Sequence, residues 1–192
     1  MEYRKLCEVA EVKFCANSPG REKTQNEPTS WAAPSNFLKN NCVLENFSQS
    51  NCVGEDYLEI KPEDIIVKRI EPAFINYIDS FPQNIYAGNN LIIVTARHGL
   101  YSKYLAMILN ERIAALSQAS SIGAVIKSIG RSELDNLKIP LFDYDKQILL
   151  GDLWYKSIEL EKLKVRLAER EHAKSNILIQ QYIKSRGGEN NG

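Results

Sequence analysis

The first candidates for chemistry are Glu59 and Lys61 in LEIK (Leu58–Lys61), the Glu-x-Lys pair of metal-dependent nuclease sites. Such a site needs a further carboxylate delivered from another strand. The nearest upstream one, Asp56, stands only three residues before Glu59, too close for a strand-to-strand arrangement. Glu59 and Lys61 therefore read as solvent-facing residues of a strand. GREKT (Gly20–Thr24) lacks the upstream glycine and the Gly-Lys pair that cradle phosphates. No G-x-S-x-G elbow occurs, and no Asn-Pro-Pro-aromatic run of the amino-methyltransferase kind. Cys7, Cys15, Cys42 and Cys52 form no C-x-x-C, and His98 and His172 lie far apart, so no metal site is expected. Reduced, partly buried thiols are the better reading.

The elements that would carry a site are more legible than the site. LCEVAEVKF (Leu6–Phe14) begins with helical spacing and ends like a strand. The segment Cys15–Asn36 is rich in Asn, Ser, Pro, Gly and charge and reads as a long loop. Tyr57–Asp79 reads as strand, turn, strand, turn, strand, with KPED and EPA as punctuation. Asn89–Ala96 is a buried strand opened by a polar turn. The period then changes. Tyr101, Leu105, Ile108, Arg112 and Leu116 fall on one helical stripe. Ala124–Ile129 reads as a short strand, and Ser132 as the N-cap of a helical turn. Pro140 holds Ile139 in extended geometry.

From about Tyr144 to Arg186 the chain has no Pro and a single Gly, Gly151, and helix formers dominate. Leu149, Leu153, Leu160, Leu163 and Leu167 lie on a coiled-coil-like seam. Lys156, Arg170 and Lys174 interrupt it, and Ile177, Leu178 and Tyr182 resume it with a phase shift. Spacing alone allows this stripe to fold back on its own domain or to meet a partner helix.

Composition narrows the function classes. Lys+Arg and Asp+Glu are both 24 in 192 residues, so indiscriminate nucleic-acid binding is disfavoured, although basic residues gathered on one face are allowed. The N-terminus lacks a continuous apolar h-region and no run approaches a membrane span, so a cytoplasmic protein without membrane contact is expected.

Three blocks in order carry a family resemblance: LEIKPEDIIVKRIEPAFINYI, NNLIIVTARHGLYSKYLAMILNE and IGAVIKSIGRSELDNLKIPLFDYDKQILLGDLW. The third is the most specific, with an Ile-x-x-Ile strand, a Leu-x-x-Leu-x-Ile-Pro step, a short linker and a Gln at a helix start. Over roughly residues 3 to 183 the chain resembles the target recognition domain and following helix of type I restriction-modification specificity subunits. The family often has Pro-Leu-Pro where PLFDYD stands, and glycine-aspartate where Pro62–Asp64 stands. Its early glycine after the first strand is not obvious near Ala16.

The resemblance implies an α+β fold. A mixed or antiparallel twisted sheet with packed helices would occupy residues 1–143, and a long coiled-coil helix residues 144–186, ahead of a disordered tail at 187–192. Ile139-Pro140 would close the recognition domain and Gln147 would start the helix. One recognition domain and one helix correspond to half of a typical subunit, which would homodimerise through Leu149, Leu153, Leu160, Leu163, Leu167 and Ile177.

The implied function is reading double-stranded DNA without chemistry. The chain itself would hold no cofactor, because S-adenosylmethionine belongs to a partner methyltransferase subunit. A restriction subunit joins in some assemblies. Specificity residues vary in this family, so the DNA-binding candidates rest on side-chain type and place. They are Arg21, Lys23, Gln25 and Asn26 in the polar loop, and Lys68 and Arg69 at a strand end. Arg97, His98 and Lys103 surround the strand-to-helix junction, and Lys127 and Arg131 border the short strand. Trp31 is either a stacking residue or a loop anchor. The competing readings are a specificity fragment that occupies the methyltransferase as a structural or regulatory partner without reading DNA, and a nuclease or methyltransferase.

Overall fold

A computed structural model of the chain describes residues 2–15, 29–50, 57–119 and 128–187. The elements in order begin with β1 (Glu2–Lys5), α1 (Leu6–Val9), β2 (Ala10–Phe14), β3 (Thr29–Ala32), β4 (Phe37–Leu38), β5 (Cys42–Val43) and β6 (Ser48–Ser50). There follow β7 (Ile65–Lys68), β8 (Phe74–Tyr77), β9 (Ile85–Ala87), β10 (Leu91–Ala96), α2 (Ser102–Ala119), α3 (Arg131–Asp135), β11 (Lys138–Leu141) and α4 (Tyr144–Gly187). The class is α+β, as expected. The chain divides into two compact units, Met1–Tyr155 and Lys156–Gly192.

The first unit is built on a four-stranded antiparallel sheet of order β2-β10-β7-β8. Its inner strands β10 and β7 are apolar on both faces, which requires cover on both sides. One face presents Ile65, Val67, Ile75, Ile92 and Val94 to Tyr104, Leu105, Leu109 and Ile113 of α2. The other presents Ile66, Leu91 and Ile93 to Ala32, Phe37, Ile85 and Ala87, from β3, β4 and β9. In this second layer β3 pairs antiparallel with β6 and parallel with β9, which makes the architecture mixed. β1 pairs antiparallel with β11, setting Tyr3 opposite Pro140 and Arg4 opposite Ile139.

Several expectations are corrected. Residues 29–36 are not loop: Thr29–Ala32 is strand β3 and Pro34–Asn36 a short 3₁₀ turn. Trp31 is 2% exposed and packs against Tyr57 and Tyr86, so it is a core residue with no face for DNA. A large aromatic outweighed the polar composition around it. Within the α2 stripe only Arg112 departs: it is exposed, because an unpaired guanidinium stays out of an apolar core, whereas Leu105 and Ile108 of the stripe and Tyr104 and Leu109 beside it are buried, as read. Gly130, not Ser132, caps α3, with its N–H donating to Glu133 Oε2 at 2.8 Å. Helix α4 starts at Tyr144, where the run of helix formers placed it, so Gln147 lies in its first turn and not at its first residue.

Of the strand read at Tyr57–Ile60, only a bridge between Glu59 and Tyr86 forms, and Lys61 is exposed in the turn that follows. Of the strand read at Ala124–Ile129, only the bridge from Ser128 to Ile70 lies among the described residues. Cys52, Asp56, Ala124–Lys127 and the tail beyond Gly187 lie outside them. No helix among the described residues is long and apolar enough to cross a membrane.

Candidate nucleic-acid interface

The described basic candidates fall at the two ends of the central sheet. Strand β10 connects them. Leu91, at its start, pairs with Lys68, and Arg97 follows its last residue. At the usual strand rise the two ends lie about 17 Å apart.

At the first end, Lys68 and Arg69 leave β7 and Arg131 opens α3. Phe14, at the end of β2, joins the two arginines: its ring lies 4.4 Å from Arg131 Cζ and 5.7 Å from Arg69 Cζ. Arg69 also holds the following segment in place. Its Nε donates to the Ile129 carbonyl at 2.9 Å, and its own carbonyl accepts from Ile129 N–H at 3.1 Å. Ile70 bridges Ser128 next to these bonds. Lys68 points to the other face, with Nζ 5.1 Å from the Phe74 ring. Lys127 belongs to this end by sequence but lies outside the described residues, as do Arg21, Lys23, Gln25 and Asn26.

At the second end, Arg97 and His98 border an open cleft of about 520 Å³ shared with Glu63, Tyr101, Ser102 and Tyr144. The turn before β7 shapes this cleft. Asp64 Oδ2 accepts from Lys61 N–H at 2.8 Å, and Oδ1 accepts from the Thr95 hydroxyl at 2.6 Å. Burial pushes the Asp64 carboxyl above the usual aspartate range, and the bonds from Thr95 and Lys61 oppose that rise. Glu63 takes the left-handed conformation at φ 70°, at the place where the resembled family has glycine.

Lys103 departs from the other candidates. Its Nζ lies 3.4 Å from Asp152 and 4.6 Å from the centre of the Tyr155 ring, so its charge serves the joint between α2 and the first turns of α4. Gln147 completes that joint. Its Oε1 accepts from Tyr101 N–H at 3.0 Å, and its Nε2 donates to the Phe142 carbonyl at 2.8 Å. The Tyr104 hydroxyl donates to the Pro140 carbonyl at 2.7 Å. The Ile-Pro step and Gln147 thus act together, fastening the end of the first unit to the start of α2.

In the helix itself Leu149 and Leu153, within the first unit, are 66% and 65% exposed. In the second unit Leu160, Leu163, Leu167 and Ile177 are all more than half exposed. Among the described residues no group of three or more His, Cys, Asp or Glu side chains is placed to hold a metal ion.

Sequence reasoning missed Phe14 and Gly151. Phe14 gains its place only because β2 pairs with β10, opposite Ile92. Gly151 was visible as the lone glycine of a long helix, and that was a usable signal.

No family model matches the chain, and no curated protein matches it in sequence. Its fold does match solved structures. One is a chain from work on complex assembly and conformational transition of the type I restriction-modification system (TM-score 0.63, 14% identity, 94% of this chain and 43% of that one). A second is the HsdS subunit from Thermoanaerobacter tengcongensis (TM-score 0.60, 17% identity, 87% and 39%). A third is the type I restriction-modification S subunit from M. genitalium (TM-score 0.51, 18% identity, 79% and 37%). The chain spans about two fifths of the length of each. At these identities the likeness is one of fold, and it is the fold that the three sequence blocks implied.

Proposed function

From the shared specificity-subunit fold, we propose that this chain reads a half-site of double-stranded DNA within a type I restriction-modification assembly and positions its methyltransferase. The observation that carries this reading is the fold likeness, which extends over 79–94% of the chain. The basic side chains at the ends of the central sheet support it. Phosphate contacts would set register and salt dependence, and base edges in a groove would supply sequence.

In this reading the chain does no chemistry. S-adenosylmethionine sits on the methyltransferase, and a restriction subunit joins where cleavage follows. The exposed stripe Leu149, Leu153, Leu160, Leu163, Leu167 and Ile177 pairs with the same helix of a second copy. An isologous pair of this kind holds two recognition units at a fixed spacing. The action is cytoplasmic, where genomic DNA is.

Selection from randomised duplexes tests the proposal, using the chain alone and with a methyltransferase subunit. A gapped, two-fold symmetric motif is the expected result. No enrichment in the presence of the methyltransferase would overturn it and leave the non-reading, regulatory role.

A further inference from the structure

The arrangement at the first sheet end divides labour between two arginines that look equivalent in the sequence. Both guanidiniums lie over the Phe14 ring, which sets their Cζ atoms within about 10 Å of each other, no more than one Debye length. Among the described residues neither has a carboxylate partner. The nearest acid along α3, Glu133, is engaged with Gly130 N–H. Two uncompensated cations on one ring repel, and an anion between or beside them relieves that repulsion.

Their other bonds differ. Arg69 is partly buried and directs Nε to the Ile129 carbonyl. With the paired backbone bond and the Ile70–Ser128 bridge, it fastens the chain two residues ahead of Arg131. Arg131 is exposed, and no protein group among the described residues accepts from its guanidinium. Stacking on Phe14 restricts the plane of that guanidinium and leaves its edge donors free. A planar fork held in this way suits two oxygens of one phosphodiester.

We propose that Arg131 is a phosphodiester contact of the DNA-reading surface and that Arg69 is its positioning residue, acting through Ile129 and Phe14. This rests on the DNA-reading role proposed above. The partner chemistry is the sugar-phosphate backbone of a duplex, which sets register and not sequence.

The test measures affinity against salt for the full chain on two duplexes of equal length, one selected from the randomised pool and one scrambled. Arg131→Ala is expected to weaken binding to both about tenfold and to lower the salt slope by about one. Arg69→Lys keeps a charge but not the bonded, stacked geometry, and is expected to match Arg69→Ala. The double variant Arg69→Ala/Arg131→Ala is expected to be little weaker than Arg131→Ala, because both act through one contact. If Arg69→Ala fails to fold, Arg69→Lys and the exposed Arg131 substitution carry the test.

Arg131→Ala binding both duplexes like wild type overturns the contact. A loss confined to the selected duplex, with an unchanged salt slope, makes Arg131 a base reader and overturns the phosphate assignment. Arg69→Lys binding like wild type reduces Arg69 to a charge and overturns its positioning role. A wild-type chain that binds neither duplex overturns the DNA-reading role itself, a different failure from any of these.

Discussion

Gly151 of α4 lies against the backbone of Tyr104 in α2, so closely that a Cβ on Gly151 would stand 2.6 Å from Tyr104 N. The carbonyl carbon of Lys103 and the Tyr101 ring would each be 3.0 Å away. A glycine inside a helix costs about 1 kcal/mol in helix propensity against alanine, so helix propensity alone would favour alanine here. Contact decides the other way. Two of the three neighbours are backbone and cannot rotate aside. Gly151→Ala is expected to destabilise the first unit by about 1–3 kcal/mol, as overpacking does. Thermal unfolding by circular dichroism checks it, and a variant as stable as wild type would show that α4 does not seat there.

Asp64 makes stability depend on pH in an unusual direction for an acid. Its folded pKa is raised by burial. Between its unfolded and folded pKa values the folded state holds the extra proton. Its contribution is therefore greatest below the unfolded value and is lost as pH rises through the folded one. Asp64→Asn cannot titrate. It gives up an acceptor for Lys61 N–H or the Thr95 hydroxyl, a cost present at every pH. The stability of the variant relative to wild type is expected to rise with pH from about 4 upward. Denaturant melts across pH 3.5–7.5 read the slope, and a flat difference would refute the assignment.

The thiols separate by exposure. Cys7 and Cys42 are exposed, whereas Cys15 is 7% exposed and burial pushes its pKa up to about 12. Iodoacetamide at pH 8 is expected to modify Cys7 and Cys42 in the native protein and to reach Cys15 only in denaturant. Peptide mass spectrometry scores each site, and native labelling of Cys15 would contradict the packing of the second core.

The helix stripe predicts a separation of effects. Leu163 and Leu167 are exposed in the second unit. Leu163→Glu/Leu167→Glu is expected to leave the melting of the first unit within about 0.5 kcal/mol of wild type, as surface changes do. The same pair is expected to abolish self-association in sedimentation velocity. Unchanged association would place the dimer contact elsewhere.

Local rules made much of this protein legible in its sequence. β10 was readable because six consecutive strand residues between a polar turn and a basic corner leave few alternatives. α4 was readable because a Pro-free run of helix formers propagates cooperatively, and its seam residues are all exposed in the fold. The order of the three blocks implied the fold that the solved structures share. Tertiary structure decided what depends on partners distant in the chain. Trp31 became core because β3 found β9, more than fifty residues away. Lys103 came to lie beside Asp152 and the Tyr155 ring, both about fifty residues away. Arg69 and Arg131 became one group only because strand pairing brought the Phe14 ring to both of them. Periodicity reports the face a residue shares with its neighbours three or four places along. It carries no information about which other strand or ring that face will meet.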